Sequence, residues 1–298
     1  MFVQPDKVSL PIQIKKYLFS LSSGLVRIFP VFMLLFSGGC WFISAEPPAV
    51  APVKVQKYEG DAQTDIQLFE QAKEHSRGGG SFKILSKAVS EYEELLRRID
   101  APGYHSQLDL FEVKWRFCRT IFYMSELIDE PSEKIRWIIK GEELSEQVIS
   151  LNPQRVEGYY YIAVFKGRRA ETANIGLTAL KLAKKVEEYG LKAKSIDETF
   201  SNEGPLRLLA LLYAKAPPWP TSIGDMDDAF ENAQRALELS DYPMNHLVMA
   251  EVLIEDDEPE DAIDELHKVL SANKEGDWAW EGEQWRPYAM GLLKKIKK

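Results

Sequence analysis

Ala229 and Ala262 stand 33 residues apart, and each answers a small residue, Ala210 or Ala250, on the helical segment before it. Around them apolar residues recur at three- and four-residue steps: Leu206, Leu209 and Tyr213 in one unit, Met249, Leu253 and Leu266 in the next, with Ala233 and Ala236 between. Such steps place side chains on one face of a helix. A small residue on that face lets a second helix backbone come close, so paired small residues at a fixed period specify helix pairs that stack. An earlier segment has the same grammar: Tyr159, Ile162 and Ala163 follow a helix carrying Gly141 and ending at Pro153. The predicted fold is all-α, a stack of helix hairpins resembling tetratricopeptide repeats of about 34 residues.

Helix punctuation supports this reading. Asp129 precedes Pro131, Asp256 and Asp257 precede Pro259, and Asp225 precedes a segment over Asp228 to Leu239, each an acidic cap at a helix start. The spacing predicts helices near Asp65 to His75, over Phe82 to Ile99, Phe111 to Ile128 and Ser132 to Ser150, with breaks at Gly78–Gly80, Gly103 and Gly190. Between Asn174 and Phe200 the break at Gly190 predicts two helices, the second starting at Leu191. The step from Ala210 to Ala229 is 19 residues, which leaves room for an insertion around Pro217-Pro218-Trp219-Pro220-Thr221-Ser222. After Trp278, Trp280 and Trp285, the segment Tyr288 to Ile296 reads as a capping helix, and Lys294, Lys295, Lys297 and Lys298 suit its C-terminal end.

Ahead of the helices, Lys15, Lys16 and Arg27 precede the apolar Val31 to Phe36 and the small residues Ser37-Gly38-Gly39 before Cys40. This order predicts a lipoprotein signal peptide over residues 1–39, with Cys40 as the lipidated residue. The alternative is an uncleaved anchor from Ile28 to Ala45. Either way the remainder is expected outside the cytoplasm. Residues 40–60 carry the lipidated cysteine and a linker, Glu46-Pro47-Pro48-Ala49-Val50-Ala51-Pro52-Val53, whose prolines favour an extended spacer. Residues 61–298 are expected to form the helical domain. Trp41, in place of Asp after the cysteine, points to the outer membrane under the familiar lipoprotein sorting rule.

Charge and chemistry narrow the function. The chain carries a formal charge of −9, and loss of residues 1–39 takes it to −12, which argues against nucleic acid as a partner. Cys118, in Trp115-Arg116-Phe117-Cys118, reads as a small buried hydrophobe. His75, His105, His246 and His267 are scattered without metal-ligand spacing, and no serine elbow is present. The acidic run Glu255 to Asp261 reads as a solvated helix cap. No catalytic residue, metal or cofactor is expected, and the chain does not read as an enzyme.

Four stretches carry a more specific likeness: Asp197-Glu198-Thr199-Phe200, Glu203-Gly204-Pro205-Leu206-Arg207, Leu212 through Asp225, and Asp241-Tyr242-Pro243-Met244-Asn245-His246. Together they resemble the TatT-like lipoproteins, helical tetratricopeptide proteins linked to tripartite ATP-independent periplasmic (TRAP) transporters. The likeness is strongest from Pro153 to Leu253, and Glu203 and Ala210 depart from it where the family has glycine. It implies an all-helical subunit, a homo-oligomer, docking of a periplasmic solute-binding protein, and a small apolar ligand passing through an oligomeric pore. Another envelope role, in outer-membrane protein insertion or pilus and secretin assembly, uses the same fold.

The repeat register places Tyr160, Val164, Gly167 and Arg168, then Arg207, Leu211 and Ala214, on the concave face of the stack. Tyr160 with Arg168 and Arg207 is suited to an acidic segment of a partner through charge-assisted hydrogen bonds. Arg207 has a second reading, as a clamp on Glu203 or Asp197. Trp219, fixed among prolines, is either a surface knob for a partner or a residue pressed on the next helix.

Overall fold

Gly141 has no side chain, and the ring of Phe165 fills the space: a Cβ there would stand 2.2 Å from Phe165 Cζ. Contacts of this kind recur at Gly158, Gly190 and Gly204. The computed structural model describes residues 62–77, 81–172, 176–273 and 278–297. The leader, Cys40, the proline-rich linker and the Gly78–Gly80 break lie outside them, as do the side chains of Trp278 and Trp280.

The described residues form helices α1 (Ala62–Arg77), α2 (Phe82–Ile99), α3 (Leu110–Glu126), α4 (Pro131–Leu151), α5 (Val156–Thr172), α6 (Leu177–Ile196), α7 (Phe200–Lys215), α8 (Met226–Leu239), α9 (Pro243–Glu255), α10 (Pro259–Ser271) and α11 (Trp278–Ile296). Each helix packs on the next in the chain. One core joins α1 to α5, where Tyr92 stacks on Phe117 at 5.3 Å between Leu85, Ile121, Ile138 and Phe165. Ala210 and Ala229, both fully buried, share a second core with Leu209, Tyr213 and Val252. Ala250 and Ala262, also fully buried, share a third with Leu247, Leu266 and Ala289 of α11. The small-residue pairs of the sequence thus lie inside common cores, as a close approach of paired helices requires.

Three local expectations are corrected. Gly190 does not break a helix: α6 runs through it, and its missing side chain admits Leu208 and Leu209 of α7, whose atoms would lie 2.9 and 3.0 Å from a Cβ. Glu130, not Asp129, caps α4; its carboxylate accepts from the backbone N–H of Ser132 and Glu133 at 3.1 and 2.6 Å and leaves Pro131 at the first helical position. Neither Asp256 nor Asp257 caps α10. Asp256 closes α9, Asp257 turns the chain with a left-handed φ of 59°, and Glu258 precedes Pro259. Asp225 does cap α8, accepting from Asp228 N–H at 3.1 Å. Cys118 is fully buried, and burial pushes its thiol up to about 12.

The α8–α9 turn and α10 are joined through His246. Its Nδ1 lies 2.5 Å from Glu265 and its Nε2 lies 2.6 Å from Asp241. Burial disfavours the charged ring, but the hydrogen bonds to the two carboxylates outweigh it and raise the pKa above the ordinary 6.5. A raised folded-state pKa contributes stability that is full below the unfolded value and is lost as pH climbs through the folded one.

Two outcomes are expected. In thermal melts, the gap between the wild type and His246→Gln is widest near about pH 6 and narrows toward about pH 8. Gly141→Ala lowers stability by about 2 kcal/mol in chemical denaturation, because forcing the Phe165 ring aside outweighs the better helix propensity of alanine.

Candidate functional site

Curvature decides which helices face inward. α1 touches α3, α3 touches α5, α5 touches α7 and α7 touches α9, while the even-numbered helices make no comparable contacts with one another among the described residues. Helices on the inner side of a curved stack are the ones that crowd, so the odd-numbered helices line the concave face.

Phe200 builds the floor of that face. Its ring meets Tyr160 at 5.4 Å, Tyr161 at 6.3 Å and Trp115 at 6.3 Å, all edge to face, and so ties α3, α5 and α7 together. The chain then takes three left-handed residues in succession, Ser201, Asn202 and Glu203, with φ of 55°, 52° and 61°. Such a backbone costs L-residues roughly 1–2 kcal/mol each and persists where its surroundings over-determine it. Regular helix resumes at Gly204, which leaves Pro205 in a first turn where its missing N–H does no harm. A Cβ on Gly204 would lie 2.7 Å from the Tyr160 ring, so this glycine lets α7 come against α5.

Asn245 of α9, fully buried, over-determines the turn. Its Nδ2 is shared among Glu203 Oε2 at 3.0 Å, the Ala236 carbonyl at 3.0 Å and the Ser240 carbonyl at 3.1 Å. The Ser240 hydroxyl donates to the same Glu203 oxygen at 2.5 Å. Arg207 closes the network, donating through Nη1 to Asn245 Oδ1 at 3.0 Å and through Nη2 to the Ser201 carbonyl at 2.8 Å. Arg207 therefore does not clamp Glu203 or Asp197. Glu203 is held by Ser240 and Asn245, and Asp197 accepts from Thr199. The hydrogen-bond partners of Arg207 are neutral, and its guanidinium lies 5.5 Å over the Tyr242 ring.

Tyr160 and Arg168 lie on α5 and Arg207 lies on α7, two helices in contact on the concave side. Burial pushes the Tyr160 hydroxyl above its usual range, the charges of Arg207 and Arg168 work against that rise, and the charge of Glu281 adds to it. Arg168 pairs with Glu126 at 3.1 Å and with Glu171 at 3.0 Å, so much of its charge is answered within the chain. Val164 and Leu211 are half-buried, Leu211 against the α7–α9 core. Trp219 stands elsewhere, in the α7–α8 turn. It is 84% exposed, a surface knob and not a residue pressed on the next helix. Gly224 N–H bonded to the Pro217 carbonyl at 3.0 Å and Asp225 N–H bonded to the Tyr213 carbonyl at 3.2 Å hold the loop that presents it.

Three further residues belong to the cluster and were not among those read from the register: Tyr123 of α3, Tyr242 before α9 and Glu281 of α11. Tyr242 donates to Glu281 Oε2 at 2.5 Å, and Tyr123 donates to Oε1 at 3.5 Å across 158 positions of sequence. Tyr242 lies in a stretch already singled out in the sequence. Tyr123 and Glu281 carry no local signal, because only the curvature of the stack brings α11 over α3.

With this geometry in view, the likeness to solved structures is informative. The chain is similar to a thermophilic TPR protein of Thermus thermophilus, with a TM-score of 0.52 at 13% sequence identity, over 77% of this chain and 99% of that one. At that identity the likeness shows the fold alone: an all-α, TPR-like helical stack. No family model matches the chain. No curated protein matches it.

Replacing Asn245 with alanine leaves Glu203 and Arg207 short of partners in a buried place. Asn245→Ala is expected to cost about 3 kcal/mol in chemical denaturation, whereas Asn202→Gly, which eases the left-handed turn, is expected to be neutral or stabilising.

Proposed function

We propose that the chain is a lipid-anchored, periplasmic protein-interaction scaffold that receives an acidic segment of a partner on its concave face, and that it is not an enzyme. The observation that carries this reading is Arg207. In a chain of net charge −9 it keeps a guanidinium whose hydrogen-bond partners are neutral, beside the phenols of Tyr160 and Tyr242 on the inner side of the stack. A half-buried cation among phenol hydroxyls is complementary to a carboxylate.

Lipidation at Cys40 and a place on the periplasmic face of the outer membrane follow from the leader. The resemblance to TatT-like lipoproteins names the partner: a TRAP-type solute-binding subunit, with a homo-oligomer of this chain passing a small apolar ligand. The proline-rich linker would hold the helical stack off the membrane within reach of such a partner. Trp219 adds an exposed aromatic anchor in the α7–α8 turn.

The test is mild crosslinking of the tagged chain in its membrane, with capture and mass spectrometry. Recovery of a solute-binding protein or its permease is expected, and Cys40→Ala is expected to release the chain from the membrane fraction. Joint replacement Arg168→Ala and Arg207→Ala is expected to cut recovery about tenfold with helicity unchanged, as loss of a charge-assisted contact should. Recovery of outer-membrane insertion or secretin-assembly proteins would replace the transport reading with the envelope-assembly one. Undiminished capture by the double variant would remove the concave face from the proposal.

A further inference from the structure

The concave cluster already holds a carboxylate, and it belongs to the chain itself. α11 docks through its middle and end, where Trp285, Tyr288, Ala289, Leu292 and Ile296 pack on Leu247, Ala250, Ala262 and Leu266. The Tyr288 hydroxyl adds a bond to Glu251 at 3.1 Å. That packing covers the core shared by α9 and α10. Glu281, in the first turn, does something further. Its two carboxylate oxygens reach the hydroxyls of Tyr242 and Tyr123 on the inner side, and its charge is felt at Tyr160 with those of Arg207 and Arg168.

Resting on the scaffold reading, we infer that Glu281 is an internal stand-in for the carboxylate of the partner, and that the partner's recognition segment is an acidic turn that takes its place. The chemistry of the seat sets the chemistry of the occupant. Two phenol donors on facing oxygens, with an arginine behind them, fit a carboxylate from an Asp or Glu side chain or a chain terminus; they offer nothing to a cation. A ligand on the chain itself acts at an effective concentration in the millimolar range, so an incoming carboxylate must compete with it. The described packing of α11 from Trp285 onward does not run through Glu281, so it stays in place when that carboxylate gives way.

The probe is a fluorescein-labelled peptide with the sequence of residues 278–290, titrated into the full chain and followed by fluorescence anisotropy. Glu281→Gln in the full chain removes the internal charge with little change of shape and is expected to tighten peptide binding about tenfold, the worth of one charge-assisted contact. Adding Tyr242→Phe to that variant is expected to abolish the gain, and so is a peptide carrying glutamine at its own Glu281 position. Circular dichroism checks that each variant keeps its helicity, and Glu281→Ala serves as a second variant in case Gln retains the phenol bonds. Equal peptide affinity in the wild type and both Glu281 variants, or equal binding of the glutamine peptide, overturns the inference.

The two proposals fail separately. A chain that captures its envelope partner but is indifferent to Glu281 substitution keeps the scaffold reading and loses the stand-in. A chain that gains peptide affinity but captures no envelope protein does the reverse.

Discussion

Close approach between helix backbones is the constraint on which the rest of the structure depends. At four of the successive pairs one helix contributes a residue with little or no side chain: Ala210 to Ala229, Ala250 to Ala262, Gly141 to the ring of Phe165, Gly190 to Leu208 and Leu209. A bulkier residue at any of these points would widen one pair and tilt everything after it, because in a stacked architecture each pair is positioned only by its neighbours. The repeated small offset between pairs gives the stack its curvature, and curvature gathers the odd-numbered helices into one face.

On that face a strained turn and a buried amide are mutually dependent. Three left-handed residues at the start of α7 aim Glu203 inward and expose the Ser201 carbonyl to Arg207. Asn245, reaching from α9, satisfies Glu203 on one side and orients Arg207 on the other. The Phe200 ring, edge to face with Tyr160 and Trp115, ties the start of α7 to α5 and α3. The outcome is an arginine fixed in place by neutral hydrogen-bond partners, the property that makes the concave face suited to recognising a carboxylate.

Much of this is legible in the order of residues alone. The period of the small residues predicts helix pairs, and α2 and α8 end where the pattern says they end. The repeat register also places Tyr160, Arg168 and Arg207 on one face, and α5 and α7, which carry them, are both among the odd-numbered helices that touch one another. Glycine misled at residue 190, because its lack of a side chain serves packing there and not a turn. Capping misled at Asp129, where a shift of one residue gives the free N–H groups to Glu130, and at Asp256 and Asp257, where the chain closes α9 and turns before Glu258 starts α10 without a side-chain cap. The reading of Arg207 as a clamp failed for a related reason: Glu203 is near in sequence, but its left-handed backbone points its carboxylate at Asn245 and Ser240.

What the chain determined by sequence alone is local and periodic: where helices form, which of their faces are apolar, where backbones can touch, and that the products of those rules stack. Hydrophobic spacing and side-chain size act between near neighbours, so they are written in order along the chain. What only the tertiary structure decided is which distant groups meet. Tyr123, Tyr242 and Glu281 converge because small rotations add up over the successive helix pairs, and no local pattern encodes a sum of that kind.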